Sequence, residues 1–129
     1  MGVIQRFEDL DVWKLARQFA KEIYSLTKKE QFVNEFRFKE QMKSSSGSVM
    51  DNIAEGFERN GNKEFVQFLF IAKGSVGETR SQLYRAFDTG LISETECNEY
   101  VLKAQNISQS LSNFIKYLQQ AEMKGVKYK

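Results

Sequence analysis

The sequence predicts an all-α protein, an antiparallel up-down-up-down four-helix bundle. Apolar residues recur at intervals of three and four, and no stretch shows the alternation of a half-buried strand. The 129 residues include no proline, which suits long, uninterrupted helices. The connections between periodic segments are short, around residues 30–34, 59–61 and 89–92, and short connections make neighbouring helices antiparallel.

The first predicted helix has its core positions spaced alternately by four and three residues: Val12, Ala16, Phe19, Ile23 and Leu26. Trp13, Ala20 and Tyr24 widen this set into the apolar stripe of a globular protein. We expect Asp9 or Asp11 to cap the helix start, and the positive charges of Lys28 and Lys29 to suit its C-terminus.

The second predicted helix runs from Glu35 to Glu58, with Asn34 as a plausible cap. Its core positions are Phe38, Met42, Ser45, Val49, Ile53 and Phe57. The small polar run 44–48 could be a loop that splits the helix, because Ser and Gly have low helix propensity. We favour one continuous helix, since the apolar positions stay in phase across the run.

The third predicted helix starts at Asn62 as its N-cap and ends before Gly90, a residue suited to the left-handed conformation that closes helices. Its core positions are Phe65, Phe68, Leu69, Ala72, Val76, Thr79, Leu83, Ala86 and Phe87. The fourth helix opens with Ser93-Glu94-Thr95-Glu96, the pattern of a capping box. Its core positions are Cys97, Tyr100, Ala104, Ile107, Leu111, Phe114 and Leu118.

Composition excludes several kinds of chemistry. Without histidine there is no His-based zinc site, no Ser-His or Cys-His pair and no Glu-x-x-His repeat of a di-metal bundle. Cys97 has no such base partner, so we expect a small apolar core residue rather than a reactive thiol. We therefore predict no enzymatic activity, no catalytic residue, no cofactor and no metal. Net charge is +2, and no apolar run reaches membrane-spanning length, which predicts a cytoplasmic protein without a membrane partner.

The third helix carries a second apolar face beside its core positions. Val66, Phe70, Gly77 and Tyr84 share this face by the same spacing of three and four, with Lys73 and Arg80 between them. One interpretation is a wide core with a few exposed aromatic side chains. The other is a subunit interface, because contiguous exposed apolar patches tend to be interaction sites.

Polar residues also lie on or beside the predicted core positions: Gln41, Ser48, Asn52, Glu55 and Glu78. Paired carboxylates such as Glu55 and Glu78 could carry general acid–base chemistry. We favour instead a layer of side chains hydrogen-bonded to each other, to water or across subunits, which fixes the register of the helices.

Several motifs, in this order, resemble the four-helix bundle proteins encoded in bacterial 23S rRNA intervening sequences, a likeness shared with accessory proteins of diversity-generating retroelements. The resemblance extends from Phe7 to about Leu118. It is carried by Phe7-Glu8-Asp9-Leu10-Asp11-Val12-Trp13-Lys14, Ile23-Tyr24, Gln41, Ser48, Asn52-Ile53-Ala54-Glu55-Gly56, Arg59, Phe65, Phe68-Leu69, Ile71-Ala72, Gly74-Ser75, Glu78 and Gly90-Leu91-Ile92. Gln41, Asn52, Glu55, Gly56 and Glu78 are its motif residues in or near the expected polar layer.

The resemblance implies a bundle that assembles into a ring, typically a pentamer, with no established enzymatic activity and a role linked to nucleic acid. The chain departs from the family pattern after Gln41, where basic residues are common and this sequence has Met42-Lys43-Ser44-Ser45. A proline often found before the Asn motif is also absent, and Met50-Asp51 stands there.

We therefore expect a single domain over residues 1–129, with a short arm at 1–8 and a basic tail at 123–129, that forms a homo-oligomer. The first hypothesis is weak, sequence-independent binding of RNA or DNA by basic residues of the second helix and the turn after it: Arg37, Lys39, Lys43, Arg59 and Lys63. The alternative is a protein-interaction scaffold without a nucleic-acid role, which assembles through Val66, Phe70 and Tyr84.

Overall fold

A computed structural model describes residues 4–123, and it contains four α-helices, two short 3-10 helices and no strand in that range. The α-helices are α1 (Asp11–Leu26), α2 (Phe36–Glu58), α3 (Asn62–Asp88) and α4 (Glu94–Met123). The 3-10 helices, Phe7–Asp9 and Glu30–Phe32, lie before and after α1. The predicted all-α four-helix bundle is confirmed. The predicted basic tail lies outside the described residues, apart from Met123.

Contacts between helices give their directions. Ser45 of α2 bonds to Thr79 of α3, and Ser48 of α2 bonds to Ser75 of α3. Residue numbers therefore rise along α2 in the direction in which they fall along α3. α1 and α4 are related in the same way, because Glu22 pairs with Lys103 whereas Lys29, just after α1, pairs with Glu96. The contacts between α3 and α4 show the same inversion. Neighbouring helices are therefore antiparallel.

Two predictions for helix ends that depend on local hydrogen bonds are confirmed, at the end of α3 and at the start of α4. Gly90 has a φ of 79°, its amide donates to the Phe87 carbonyl at 3.0 Å, and the Leu91 amide donates to the Ala86 carbonyl at 2.8 Å. These two bonds form the Schellman motif that closes α3. At the start of α4, the Glu96 amide donates to Ser93 Oγ at 3.1 Å and the Ser93 amide donates to Glu96 Oε1 at 2.8 Å, which completes the capping box.

The three other predicted caps are wrong. Asp9 belongs to the 3-10 helix before α1 and Asp11 is already helical, so Leu10 takes the N-cap position. A 3-10 turn leads into α2 and places Glu35, rather than Asn34, at its N-cap. Asn62 is buried in the first turn of α3, and Gly61 precedes it with a φ of 110°. None of these N-cap residues makes a side-chain cap hydrogen bond.

The predicted core positions are buried with few exceptions, and α2 runs unbroken through residues 44–48, as favoured. Tyr24 and Phe87 are wrong as core residues because each lies at the edge of its stripe and faces solvent. The arm before α1 contributes to the core, since Phe7 packs edge-on against Trp13 with ring centroids 5.3 Å apart. All four α-helices contribute to this core.

Candidate nucleic-acid interface

The structure does not bring the five predicted basic residues into one patch. Arg37 lies near the start of α2 and Arg59 just beyond its end, about 33 Å apart at 1.5 Å per residue. Arg59 donates to Glu55 Oε2 at 2.9 Å and its guanidinium lies 5.0 Å from the Phe68 ring. Lys63 is exposed in the first turn of α3. The five residues therefore do not share one surface.

Lys39 and Lys43 lie on the side of α2 that faces α1. The Lys43 ammonium is 4.9 Å from the ring centroid of Tyr24 on α1, and Lys39 precedes it by one turn on the same face. Lys43 Nζ also donates to Glu40 Oε2 at 2.7 Å, and this hydrogen bond raises the pKa of Lys43. These lysines therefore face a surface of α1 that none of the five predicted residues belongs to.

The outer surface of α1 carries a stripe of positive charge. Lys14, Arg17, Lys21 and Lys28 are exposed, and together with Tyr24 they follow the spacing of one helix face, continued into the turn after α1. We call these four residues together with Lys39 and Lys43 the basic face.

Aromatic rings lie among the charges of the basic face. Tyr24 is 47% exposed, with the Lys28 and Lys43 ammonium groups 4.7 Å and 4.9 Å from its ring centroid. The Arg17 guanidinium lies 5.5 Å from the ring of Trp13, which is itself buried. Cations spread over such a surface can pair with successive phosphates, and an exposed ring among them can contact a base.

The acidic residues of α1 leave the stripe largely uncompensated. Glu22 points towards α4, where it accepts hydrogen bonds from Lys103 at 2.8 Å and from Gln18 at 3.0 Å. Partial burial raises the pKa of Glu22, but the hydrogen bonds from Gln18 and Lys103 and the charge of Lys103 together outweigh it, so the pKa is lowered and the carboxylate stays charged at neutral pH. Asp11 lies at the start of the helix, and Glu40 is paired with Lys43.

The sequence contained a signal for the basic face that our interpretation missed. Residues 14, 17, 21, 24 and 28 have the same alternation of three and four as the core residues, but on the opposite face. Tyr24 also fits the widened core stripe predicted for α1, which obscures the pattern. The proximity of Lys43 to Tyr24 depends on the register between α1 and α2, and the sequence does not show it directly.

The motif carboxylates are not brought together. Glu78 lies with Gln41 and Arg37 at an open groove of about 510 Å³ between α2 and α3. Thr79, the residue next to Glu78, bonds to Ser45 of α2. Glu55 lies ten residues beyond Ser45 on α2, which is about 15 Å along the helix axis. Glu55 and Glu78 are both exposed and do not form a carboxylate pair within one cleft.

A buried hydrogen-bond layer does join α2 to α3, at positions only partly anticipated. Ser45 Oγ is 2.7 Å from both Gln82 Oε1 and Thr79 Oγ1, and all three side chains are buried. One turn further along α2, Asn52 donates to Ser48 Oγ at 2.8 Å, and Ser48 in turn bonds to Ser75 of α3 at 3.1 Å. Asn52 therefore belongs to this polar contact, while Gln41 and Glu55 lie on the surface.

The second apolar face of α3 is present on the described chain. Phe70 and Tyr84 are 53% and 48% exposed, and Val66 is half-buried at the same face. Gly77 lies between them, and a Cβ added there would meet nothing within 4 Å. Packing within the chain therefore does not require a glycine at position 77, although glycine costs a helix interior about 1 kcal/mol relative to alanine.

Cys97 is confirmed as a core residue. It is buried, and its thiol lies 3.7 Å from the Leu83 carbonyl. Burial raises the pKa of Cys97, and the negative charges of Asp88 and Glu94 raise it further. A reactive thiolate requires a lowered pKa instead.

Among residues 4–123, no three Cys, Asp or Glu side chains that the structure describes gather where they could hold a metal ion. No helix in the same range has the length and apolar character to cross a membrane.

Fold and surface together define an all-helical bundle with a basic face on α1 and α2 and an exposed apolar face on α3. Residues 8–113 match the 23S rRNA-intervening sequence protein family, and the chain belongs to that family. A similar crystal structure is that of a protein with unknown function from the S23 ribosomal protein family of Bacteroides thetaiotaomicron VPI-5482. It is 26% identical, with a TM-score of 0.75, over 81% of this chain and 98% of that chain. No curated protein matches the chain.

Proposed function

We propose that this protein is a non-enzymatic helical bundle that binds nucleic acid, weakly and without sequence preference, through the basic face. The observation that carries the proposal is the run of exposed cations along α1, joined to α2 where Lys43 lies over the Tyr24 ring, with Lys39 one turn before Lys43. Such an arrangement contacts phosphates, which are the same in every sequence. Of the five residues predicted from sequence, this site includes Lys39 and Lys43, and its other cations lie on α1 and in the turn after it.

Two further considerations support a nucleic-acid role. The family takes its name from an intervening sequence of 23S rRNA, which associates the gene with RNA. The further likeness to accessory proteins of diversity-generating retroelements stays a prediction. A net charge of only +2 does not oppose the proposal, because charge concentrated on one face contributes more to binding than the total.

The proposal is tested by removing two charges from the basic face. In Lys14→Gln/Lys21→Gln both positions are exposed, so the fold should be retained. We expect affinity for a fluorescent 20-nucleotide RNA at low salt, measured by anisotropy, to fall on the order of tenfold.

The matched control is Lys63→Gln/Lys116→Gln, which removes the same charge from exposed positions on α3 and α4. We expect the control to bind as the unmodified protein does, apart from a small effect of net charge. Equal losses in the two variants would mean that total charge, and not the basic face, determines binding. If the unmodified protein does not bind the RNA, the proposal is refuted.

A second candidate function is self-assembly, favoured by the exposed apolar face of α3. Phe70 and Tyr84 lie on one face with Gly77 between them, so a helix of a second copy could approach the α3 backbone closely there. Closed rings repeat one interface by symmetry, and a ring would repeat the basic face on every subunit. The family resemblance implies a pentamer, and the subunit number stays a prediction.

A further inference from the structure

Tyr24 has an unusual position for an exposed aromatic side chain. It lies in the last turn of α1, and the Thr27 hydroxyl donates to its backbone carbonyl at 2.7 Å, which holds the end of this helix. Its ring is half-exposed, with a lysine from the turn after α1 and a lysine from α2 beside it. The backbone that carries the ring is therefore held by the hydrogen-bonded end of α1.

We infer that Tyr24 is a stacking platform for one unpaired base, so that the ligand of the basic face is single-stranded nucleic acid. This inference rests on the proposed function. A base that stacks on Tyr24 places its own phosphates within reach of Lys28 and Lys43, whose ammonium groups are already within 5 Å of the ring centroid. Bases in a duplex are stacked on each other and cannot reach a ring on a convex helix surface, whereas a single strand can turn a base outward.

The lysines beside the ring do not prevent stacking. An exposed cation–π contact is weaker than the stacking of a base on an aromatic side chain. A lysine side chain is also long and flexible, so its ammonium group can leave the ring for a phosphate while the base takes its place. Stacking thus replaces two weak cation–π contacts with a base–ring contact and phosphate contacts, and Lys43 shares its ammonium group between the phosphate and Glu40 Oε2, 2.7 Å away.

Nothing about the site distinguishes ribose from deoxyribose. Stacking uses the face that every base has, and the ammonium groups contact phosphates. We therefore expect single-stranded RNA and DNA of one sequence to bind with similar affinity, and both to bind more tightly than the corresponding duplex.

The test compares Tyr24→Leu with Tyr24→Phe. Leucine removes the aromatic ring at constant charge and suits a helix, whereas phenylalanine keeps the ring and loses only the hydroxyl. The probes are a 12-nucleotide single strand with a central 2-aminopurine, as RNA and as DNA, and the blunt duplex of the same sequence. We expect Tyr24→Leu to weaken single-strand binding about tenfold and to leave duplex binding unchanged, while Tyr24→Phe binds normally.

Two further readouts separate stacking from a general defect. Stacking on Tyr24 should quench the 2-aminopurine fluorescence of the bound strand, and Tyr24→Leu should lose that quenching at saturating protein. The salt dependence of binding should be the same in both variants, because neither loses a phosphate contact. Tyr117→Leu, at another half-exposed tyrosine on α4, is the matched control and should bind and quench as the unmodified protein does.

Failure of this inference differs from failure of the proposed function. If Tyr24→Leu binds single strands as well as the unmodified protein, or if the duplex binds equally tightly, the stacking platform is refuted and the basic face stands. If the unmodified protein binds none of the three probes, both proposals fall.

Discussion

A Cβ atom at position 56 would lie 2.6 Å from Cβ of Phe68, closer than two such atoms can approach. Gly56 is the last residue of the Asn-Ile-Ala-Glu-Gly motif on α2, and Phe68 lies on α3. The same added atom would be 3.0 Å from the Phe65 ring. The motif glycine therefore sets how closely α2 and α3 pack.

Gly56→Ala should destabilise the protein by about 1–3 kcal/mol, because the methyl group forces apart two packed helices. Gly74→Ala is the matched control, since a Cβ at position 74 meets nothing within 4 Å. It should stabilise the protein by about 0.5–1 kcal/mol through helix propensity alone. Urea unfolding followed by circular dichroism measures both changes, and two changes of the same sign would contradict this account of Gly56.

Ser45→Ala should destabilise the protein by about 1–3 kcal/mol, because Gln82 Oε1 would lose a buried partner that lies 2.7 Å away. Ser81→Ala, at an exposed position on α3, is the control and should change the free energy of unfolding by less than about 0.5 kcal/mol. If the two variants unfold at the same urea concentration, the buried layer does not contribute to stability.

Acid should remove the contribution of Glu96 to stability. A hydrogen bond from Lys29 Nζ, followed by one from the Ser93 amide, lowers the pKa of Glu96 below its ordinary value. A carboxyl group with a lowered pKa in the folded state stabilises that state above its unfolded pKa of about 4.3, and the contribution disappears as pH falls through the folded pKa.

Glu96→Gln tests this pH dependence. Its deficit in unfolding free energy relative to the unmodified protein should be less than about 1 kcal/mol at pH 7, as the pair is partly exposed, and should shrink at pH 3. Glu64→Gln, at an exposed position in the first turn of α3, serves as the control for loss of a carboxylate. If the deficit in unfolding free energy of Glu96→Gln grows on acidification, this account of Glu96 is contradicted.

Phe70→Glu should abolish self-assembly, since it places a charge on the exposed apolar face of α3. Light scattering should give a mass that is a multiple of 15.0 kDa for the unmodified protein and 15.0 kDa for the variant. Ile71→Glu, at a similarly exposed residue on another side of the same helix, should keep the assembled mass. A 15.0 kDa particle for the unmodified protein, or an unchanged mass for Phe70→Glu, would contradict assembly through this face.

Local sequence signals predicted the fold well. Gly90 and the Ser93–Glu96 capping box act through bonds within one turn, so their neighbours in sequence are sufficient to predict them. Tyr24 was misplaced because it lies at the edge of its stripe, where small rotations of the helix decide exposure.

Features that depend on contacts between helices were harder to predict. Gln82 is buried on α3, and the partner that donates to its Oε1, Ser45, lies on another helix. The basic face was missed for a similar reason: its charges come from two helices, and the 4.9 Å distance from Lys43 to Tyr24 depends on their register. The five residues predicted from sequence are neighbours along α2 and the α2–α3 turn, but only Lys39 and Lys43 lie on one face.

The salt dependence of RNA binding tests the basic face most directly. Each phosphate contacted on a single strand contributes about −0.7 to the slope of log K against log salt, so six contacts give a slope near −4. We predict a slope approaching that value for the unmodified protein, and one smaller by about 1.4 for Lys14→Gln/Lys21→Gln. A slope near zero, or the same slope in both proteins, would contradict nucleic-acid binding through this face.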